Sequence, residues 1–243
     1  MTTETGDQGV RSFTDDGHPH PEQRGTSAVA VDPWAVVLWM TLLASMAVGG
    51  LAPHSREDWL LENALVVPVL VVLAALRFGP VSMRLSRTAW LTLLLFFLLH
   101  EIGAHYTYSL VPYRHWAQSL GLSLVDGERN HYDRVVHFAY GLLVARPVAE
   151  ILAGRSGFAG KALQATTVAW VGFGSMLYEL VEAAAAAVFG GDLGVAYLGT
   201  QGDVWDAQKD MALALSGSLL WACLHAVGCV AATAGMSKRM LSR

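Results

Sequence analysis

The chain has 243 residues, a formal net charge of −4, 53% hydrophobic residues and only 15% charged residues, where an ordinary soluble domain carries about 25% charged. So little charge excludes a soluble globular domain and predicts an all-α polytopic transmembrane bundle, because Leu, Val and Ala face lipid freely while a central charge costs roughly 2.5–3.5 kcal/mol. The scattered Lys and Arg exclude a nucleic-acid surface, which needs a clustered basic face, and Cys223 and Cys229, six apart in one apolar run, form neither a disulfide framework nor a zinc motif.

Residues 1–31 are polar and rich in Gly, Pro and Asp, without the basic patch and apolar core of a secretory signal. They read as a disordered cytoplasmic tail in which His18 and His20 are solvated. Six apolar stretches follow, at 34–51, 59–78, 88–110, 132–153, 162–189 and 211–236, each able to cross a hydrocarbon core of about 30 Å, for which about 20 residues suffice. Together they make one transmembrane domain, 32–236, before a short basic tail, 237–243. The fourth stretch is weakened near one end by Arg146, Pro147 and Glu150. The fifth contains AAAAAV and the sixth Gly217 and Gly228, small residues that let membrane helices approach closely. Trp34, Trp39, Trp59, Trp90 and Trp116 lie near span ends, as interfacial anchors do. The loop between the third and fourth spans mixes apolar and polar residues, in the manner of a short amphipathic element or lid.

Lys and Arg near helix ends favour the cytoplasm. One side of the bundle collects Arg11, Arg24, Arg77, Arg84, Arg87, Arg146, Arg155, Lys161, Lys238, Arg239 and Arg243, and the other only Arg56, Arg114, Arg129, Arg134 and Lys209. Both termini are therefore expected in the cytoplasm, in keeping with an even number of spans.

Ionisable groups inside spans are costly and serve as functional candidates. They concentrate in four strings: HEIGAHYTY with His100, Glu101 and His105; ERNHYDRVVHF with Asp133, Arg134 and His137; YELVE with Glu179 and Glu182; and QGDVWDAQKDM with Asp203, Asp206, Lys209 and Asp210. Glu101 and His105, Asp133 and His137, and Asp206 and Asp210 are four apart, and Glu179 and Glu182 three apart, so each pair shares a helix face. With the orientation above, all four pairs lie in the outer half of the membrane, roughly 10–15 Å deep at about 1.5 Å per residue. Seven carboxylates then face two fixed cations, Arg134 and Lys209. Burying the excess unpaired is prohibitive, so protonation, a water-filled cavity or a bound cation must relieve it. Facing helices with Glu and His at such spacings build carboxylate metal sites in bundles. The candidate ligands of a divalent metal are His100, Glu101, His105, His137, Glu182, Asp203 and Asp210, and the candidate catalytic carboxylates are Glu101, Asp133, Glu179 and Asp206. Glu62 and Asn63, near the outer end of the second span, read first as interfacial residues and second as further members of the cluster, and His225, well below it, as a packed histidine.

HEIGAH is one residue too long for the zinc-peptidase HExxH, and its histidines, five apart, diverge around a helix. HEIGAHYTY, ERNHYDRVVHFAYG, YELVE and QGDVWDAQKDM, in this order over residues 100–211, resemble the bacterial YjdF-like inner-membrane family. DRVVHF followed by a later Glu and an Asp-rich helix start resembles, more loosely, the VanZ-like membrane proteins. Neither resemblance carries an established reaction; what it implies is a multi-pass protein of the bacterial inner membrane whose recurring motifs are those singled out above.

Three functions fit these residues. The first is a metal-dependent hydrolase or transferase embedded in the bilayer, acting at the outer leaflet on a lipid-linked or envelope substrate. The second is a proton- or cation-coupled transporter in which the same carboxylates hold ions in transit; six spans without a visible repeat weigh against it unless the chain forms a homo-oligomer. The third is a non-catalytic membrane scaffold with a structural polar core.

Overall fold

The computed structural model describes residues 33–78, 85–121, 129–191, 194 and 198–241. The expected amino-terminal tail, most of the second loop and the middle of the loop between the third and fourth spans lie outside the described residues. Seven helices are described and no strand among the described residues: α1 Pro33–Leu51, α2 Arg56–Phe78, α3 Arg87–His105, α4 Tyr113–Ser119, α5 Tyr132–Ser156, α6 Gly160–Phe189 and α7 Asp206–Leu241. All but α4 are long and apolar enough to cross a membrane, as the sequence requires. Their surface is that of a lipid-immersed bundle: Met40, Val71 and Val227 are each more than 60% exposed, which water would penalise and acyl chains do not.

Local chemistry sets the boundaries. Ser55 Oγ accepts from the Asp58 N–H at the start of α2, and Ser86 Oγ accepts from the Ala89 N–H at the start of α3, each satisfying a first-turn donor. Arg146, Pro147 and Glu150 do not break the fourth span. Pro147 is fully buried, Arg146 Nε donates to Glu150 at 2.6 Å, and Glu150 accepts from the Ser86 N–H and hydroxyl at 2.7 and 2.6 Å, so the charges pin α5 to the start of α3. The third span ends sooner than its apolar run, at His105 rather than 110. Thr107 and Tyr108 take φ of 52° and 51° and turn the Tyr108 ring back onto Gly103, where an added Cβ would sit 2.5 Å from it. Tyr108 therefore packs inside the bundle instead of extending the helix.

α5 and α7 form the centre. α3 packs on α5 and α1, α6 on α5 and α7, and α2 on α3. A Cβ at Gly141 would overlap the Ala214 carbonyl, and one at Gly217 the Phe138 carbonyl, so these glycines let the two backbones touch. Elsewhere Leu38, Leu42, Trp90, Leu93 and Phe97 fill the α1–α3 contact. Trp90, expected near a span end, packs in this core and is 4% exposed. His225 stacks on Trp221 and lies 3.3 Å from the Gln164 amide, the packed histidine expected.

Candidate functional site

The polar residues gather at one end of the bundle, where α2, α5 and α7 begin and α3 and the last turns of α6 end. They form three neighbouring groups there, where helical spacing alone suggested one cluster.

The central group joins α5, α6 and α7. Asp133, His137 and Asp210 each offer a donor atom within 4.8 Å of the others. His137 Nε2 lies 3.3 Å from Asp133 Oδ1, one turn back on α5, and 3.6 Å from Glu179 Oε1 on α6. Asp210 is 2% exposed, and its Oδ1 has no hydrogen-bond partner, nor has Glu179 Oε1. Glu182 lines a narrow polar recess beside this group with Asp58, Glu62, Tyr178 and Asp133. Glu62, 2% exposed, accepts from the Tyr178 hydroxyl at 3.0 Å, which corrects its reading as an interfacial residue. The second reading of Glu62, as a member of the cluster, is the one the fold supports; spacing gave it less weight because Glu62 shares the second span with no second carboxylate inside the apolar run. The signal available was Asp58, four residues earlier on the same face.

The second group lies at the junction of α1, α2 and α3. Glu101 is buried against Gly49, whose added Cβ would meet Glu101 Oε2 at 3.4 Å and the Trp59 indole nitrogen at 3.5 Å; Asn63 and Trp59 are its polar neighbours. His105 Nδ1 lies 2.9 Å from the Gly49 carbonyl. The Glu101 and His105 pair therefore braces α3 against α1 and α2, one helix away from Asp210. His100 turns elsewhere again, its Nδ1 2.6 Å from the Tyr108 hydroxyl.

The third group closes the mouth. Arg129 donates to Asp206 and to the Thr200 carbonyl, Arg134 Nη2 lies 2.5 Å from Asp203 and 3.4 Å from Asp206, and Lys209 Nζ lies 2.6 Å from Asp203. Gln201 and Asn130 exchange hydrogen bonds of 2.8 and 2.9 Å. Three cations, with Arg129 added to the expected two, thus hold Asp203 and Asp206. The long reach between 129–134 and 200–209 hid this from spacing. Lys209 first, then the Trp205 N–H and Arg134, hold the Asp203 carboxyl down to about 2. Burial, and then the charges of Arg134, Arg129 and Arg114, lower the His131 pKa.

Two outcomes follow at the mouth. A carboxyl whose folded pKa is depressed contributes stability that is present above its unfolded pKa, near 3.8, and is lost as pH falls through about 2. The melting-temperature difference between wild type and Asp203→Asn is therefore expected to hold constant from neutral pH to about 4 and to close as pH approaches 2. Arg129→Ala leaves Asp206, 3% exposed, short of its closest cation. A loss of about 3 kcal/mol is expected, because removing one partner strands a buried charge. Adding Asp206→Asn should restore most of it in thermal melts of the detergent-solubilised protein.

Asp133 and His137 of the central group also line an apolar cavity of about 290 Å³ between α2, α3, α5 and α6. Leu65, Val69, Phe96 and Leu177 line its apolar part, and Asp133, His137, His100 and Ser175 its polar part. Val69 and Leu177 are 45% and 49% exposed at its rim, so it opens sideways between α2 and α6. The Tyr178–Glu62 hydrogen bond spans that opening at its polar end.

Residues 34–229 match the family described as "Predicted membrane protein (DUF2238)". The chain is also similar to the inner membrane protein YjdF of Escherichia coli strain K12, with 35% identity over 182 residues, covering 74% of this chain and 83% of the relative. No solved structure matches it.

Proposed function

The chain belongs to the DUF2238 family of multi-pass membrane proteins, and from that premise we propose that it is a bilayer-embedded, metal-assisted hydrolase or transferase acting on a lipid-linked substrate. The observation that supports this reading most is the convergence of Asp133, His137 and Asp210, the first two of which line the polar end of a cavity that opens sideways between α2 and α6. Two carboxylates and an imidazole are a donor set for Mn²⁺, Zn²⁺ or Fe²⁺. Asp210 Oδ1, without a hydrogen bond, and Glu179 Oε1, with only His137 Nε2 at 3.6 Å, are buried acceptors of the kind a cation satisfies.

A divalent ion there would polarise a phosphoryl or carbonyl oxygen of the substrate. Asp133, His137 and Asp210 would hold it, and Glu179, 3.6 Å from His137, would move a proton. Asp206 and Asp203 serve instead to lock the mouth, and Glu101 with His105 to brace α3. The uneven distribution of Lys and Arg supports an orientation with this end of the bundle at the outer leaflet of the bacterial inner membrane and both termini in the cytoplasm. Metal analysis of the purified full-length protein in detergent tests the reading. One divalent ion per chain is expected; a folded, metal-free protein that takes up none on titration overturns it.

A further inference from the structure

Tyr178 of α6 lies between the central group and α2. Its ring meets the His137 imidazole edge to face, with centroids 5.8 Å apart and planes at 72°, within the separation that aromatic pairs favour. Its hydroxyl donates to Glu62 Oε2 at 3.0 Å. Glu62 is 2% exposed, so the far end of the phenol is held by a buried partner on α2. Tyr178 also lines both the apolar cavity and the narrow polar recess and forms part of a wall shared by the two.

The polar contacts of His137 hold its ring plane loosely. Asp133 Oδ1 at 3.3 Å and Glu179 Oε1 at 3.6 Å both approach Nε2, farther than the roughly 2.7–2.9 Å of a charge-assisted hydrogen bond. Two long contacts to one nitrogen direct that atom, while the terminal torsion of a histidine is broad and roughly two-fold. Packing must supply the rest. Tyr178 and Glu179 are consecutive on α6 and diverge by about 100° around a helix of 3.6 residues per turn. One helix therefore reaches His137 from two directions, with a carboxylate toward Nε2 and an aromatic ring against the imidazole.

We propose that Tyr178 is the positioning residue of His137, with Glu62 as its anchor: the phenol ring holds the imidazole in the orientation that presents it to Asp133 and Asp210. Groups outside the ligand set orient a ligating histidine in this way, ordinarily through a hydrogen bond to its second nitrogen; here an aromatic ring does so. The consequence for metal affinity rests on the reading of His137 as a ligand. It adds a residue of α6 and one of α2 to those on which that site depends.

The test takes the full-length protein in detergent and reads the imidazole protons of His137 by NMR with labelled histidine, the signals being identified by their loss in His137→Gln. In wild type they are expected to be displaced by the Tyr178 ring current. Tyr178→Leu removes that displacement, whereas Tyr178→Phe keeps the ring, loses the anchor and broadens or doubles the signals. Signals unchanged in Tyr178→Leu overturn the proposal. Zinc titration of the same samples gives the second readout. Tyr178→Phe is expected to weaken zinc affinity about tenfold, the lower end of what outer-shell partners contribute, and to weaken it no further in a Glu62→Leu background, where the anchor is already gone. Equal affinity in wild type, Tyr178→Phe and Tyr178→Leu overturns the positioning role and leaves the metal site standing. A wild type that takes up no zinc overturns the metal reading, and the histidine signals then decide the positioning by themselves. If Tyr178→Leu fails to fold, Tyr178→Phe, which removes a single oxygen, carries both readouts, and unchanged signals and affinity there overturn the proposal.

Discussion

Asp210→Asn is expected, on the proposed metal-assisted reading, to weaken divalent-ion binding by more than about a hundredfold, since even outer-shell partners of metal ligands are worth about 10–100-fold. Asp210 lies in the first turns of α7, 2% exposed, within reach of both Asp133 and His137, and its Oδ1 is unpaired. The same change removes one buried negative charge from a group that holds Asp133, Glu179 and Asp206 nearby. Stability should therefore move in opposite directions with metal. Without it, Asp210→Asn melts higher than wild type because like charges no longer repel; with saturating metal, wild type melts higher because only it gains binding energy. A purely structural Asp210 gives no crossover, so melting curves with and without metal decide the matter. His137→Ala should also lose the ion but, having removed no negative charge, should not gain stability in its absence.

Gly141→Ala is expected to be the most damaging single methyl group that the central helices can receive. Its Cβ would overlap the Ala214 carbonyl oxygen and lie 2.9 Å from the Ser218 amide nitrogen, and neither backbone atom can swing away as a side chain would. α5 and α7 must separate, which costs about 1–3 kcal/mol for ordinary overpacking and more when backbone is the obstacle. Separation also pulls Asp133 and His137 from Asp210, so metal affinity should fall with stability. Gly228→Ala, with nothing within 4 Å of the added atom, is the matched control and should be neutral. Comparable melting temperatures for the two variants contradict the close α5–α7 approach.

The membrane-spanning character and the six spans were legible because hydrocarbon imposes a length and a polarity that any single helix must meet by itself. The polar end was legible for a similar reason, since Glu and His inside apolar runs stand out by cost alone. Partners were not. Spacing set Glu101 beside His105 and Asp206 beside Asp210, yet α3 turns Glu101 toward Gly49 and Trp59, while Arg129 and Arg134 claim Asp206 and leave Asp210 with Asp133 and His137. The rotation of each helix about its axis is fixed by packing, here by Gly141 and Gly217 bringing α5 onto α7 and by Tyr108 folding back over Gly103. None of this is periodic in the chain. The sequence by itself determined that an acidic, histidine-bearing end exists. Only the tertiary structure decided which carboxylates meet a histidine, which meet an arginine, and that an apolar cavity lies beneath them, because those outcomes depend on contacts between residues far apart in the chain, such as Arg129 with Asp206 and Asp133 with Asp210.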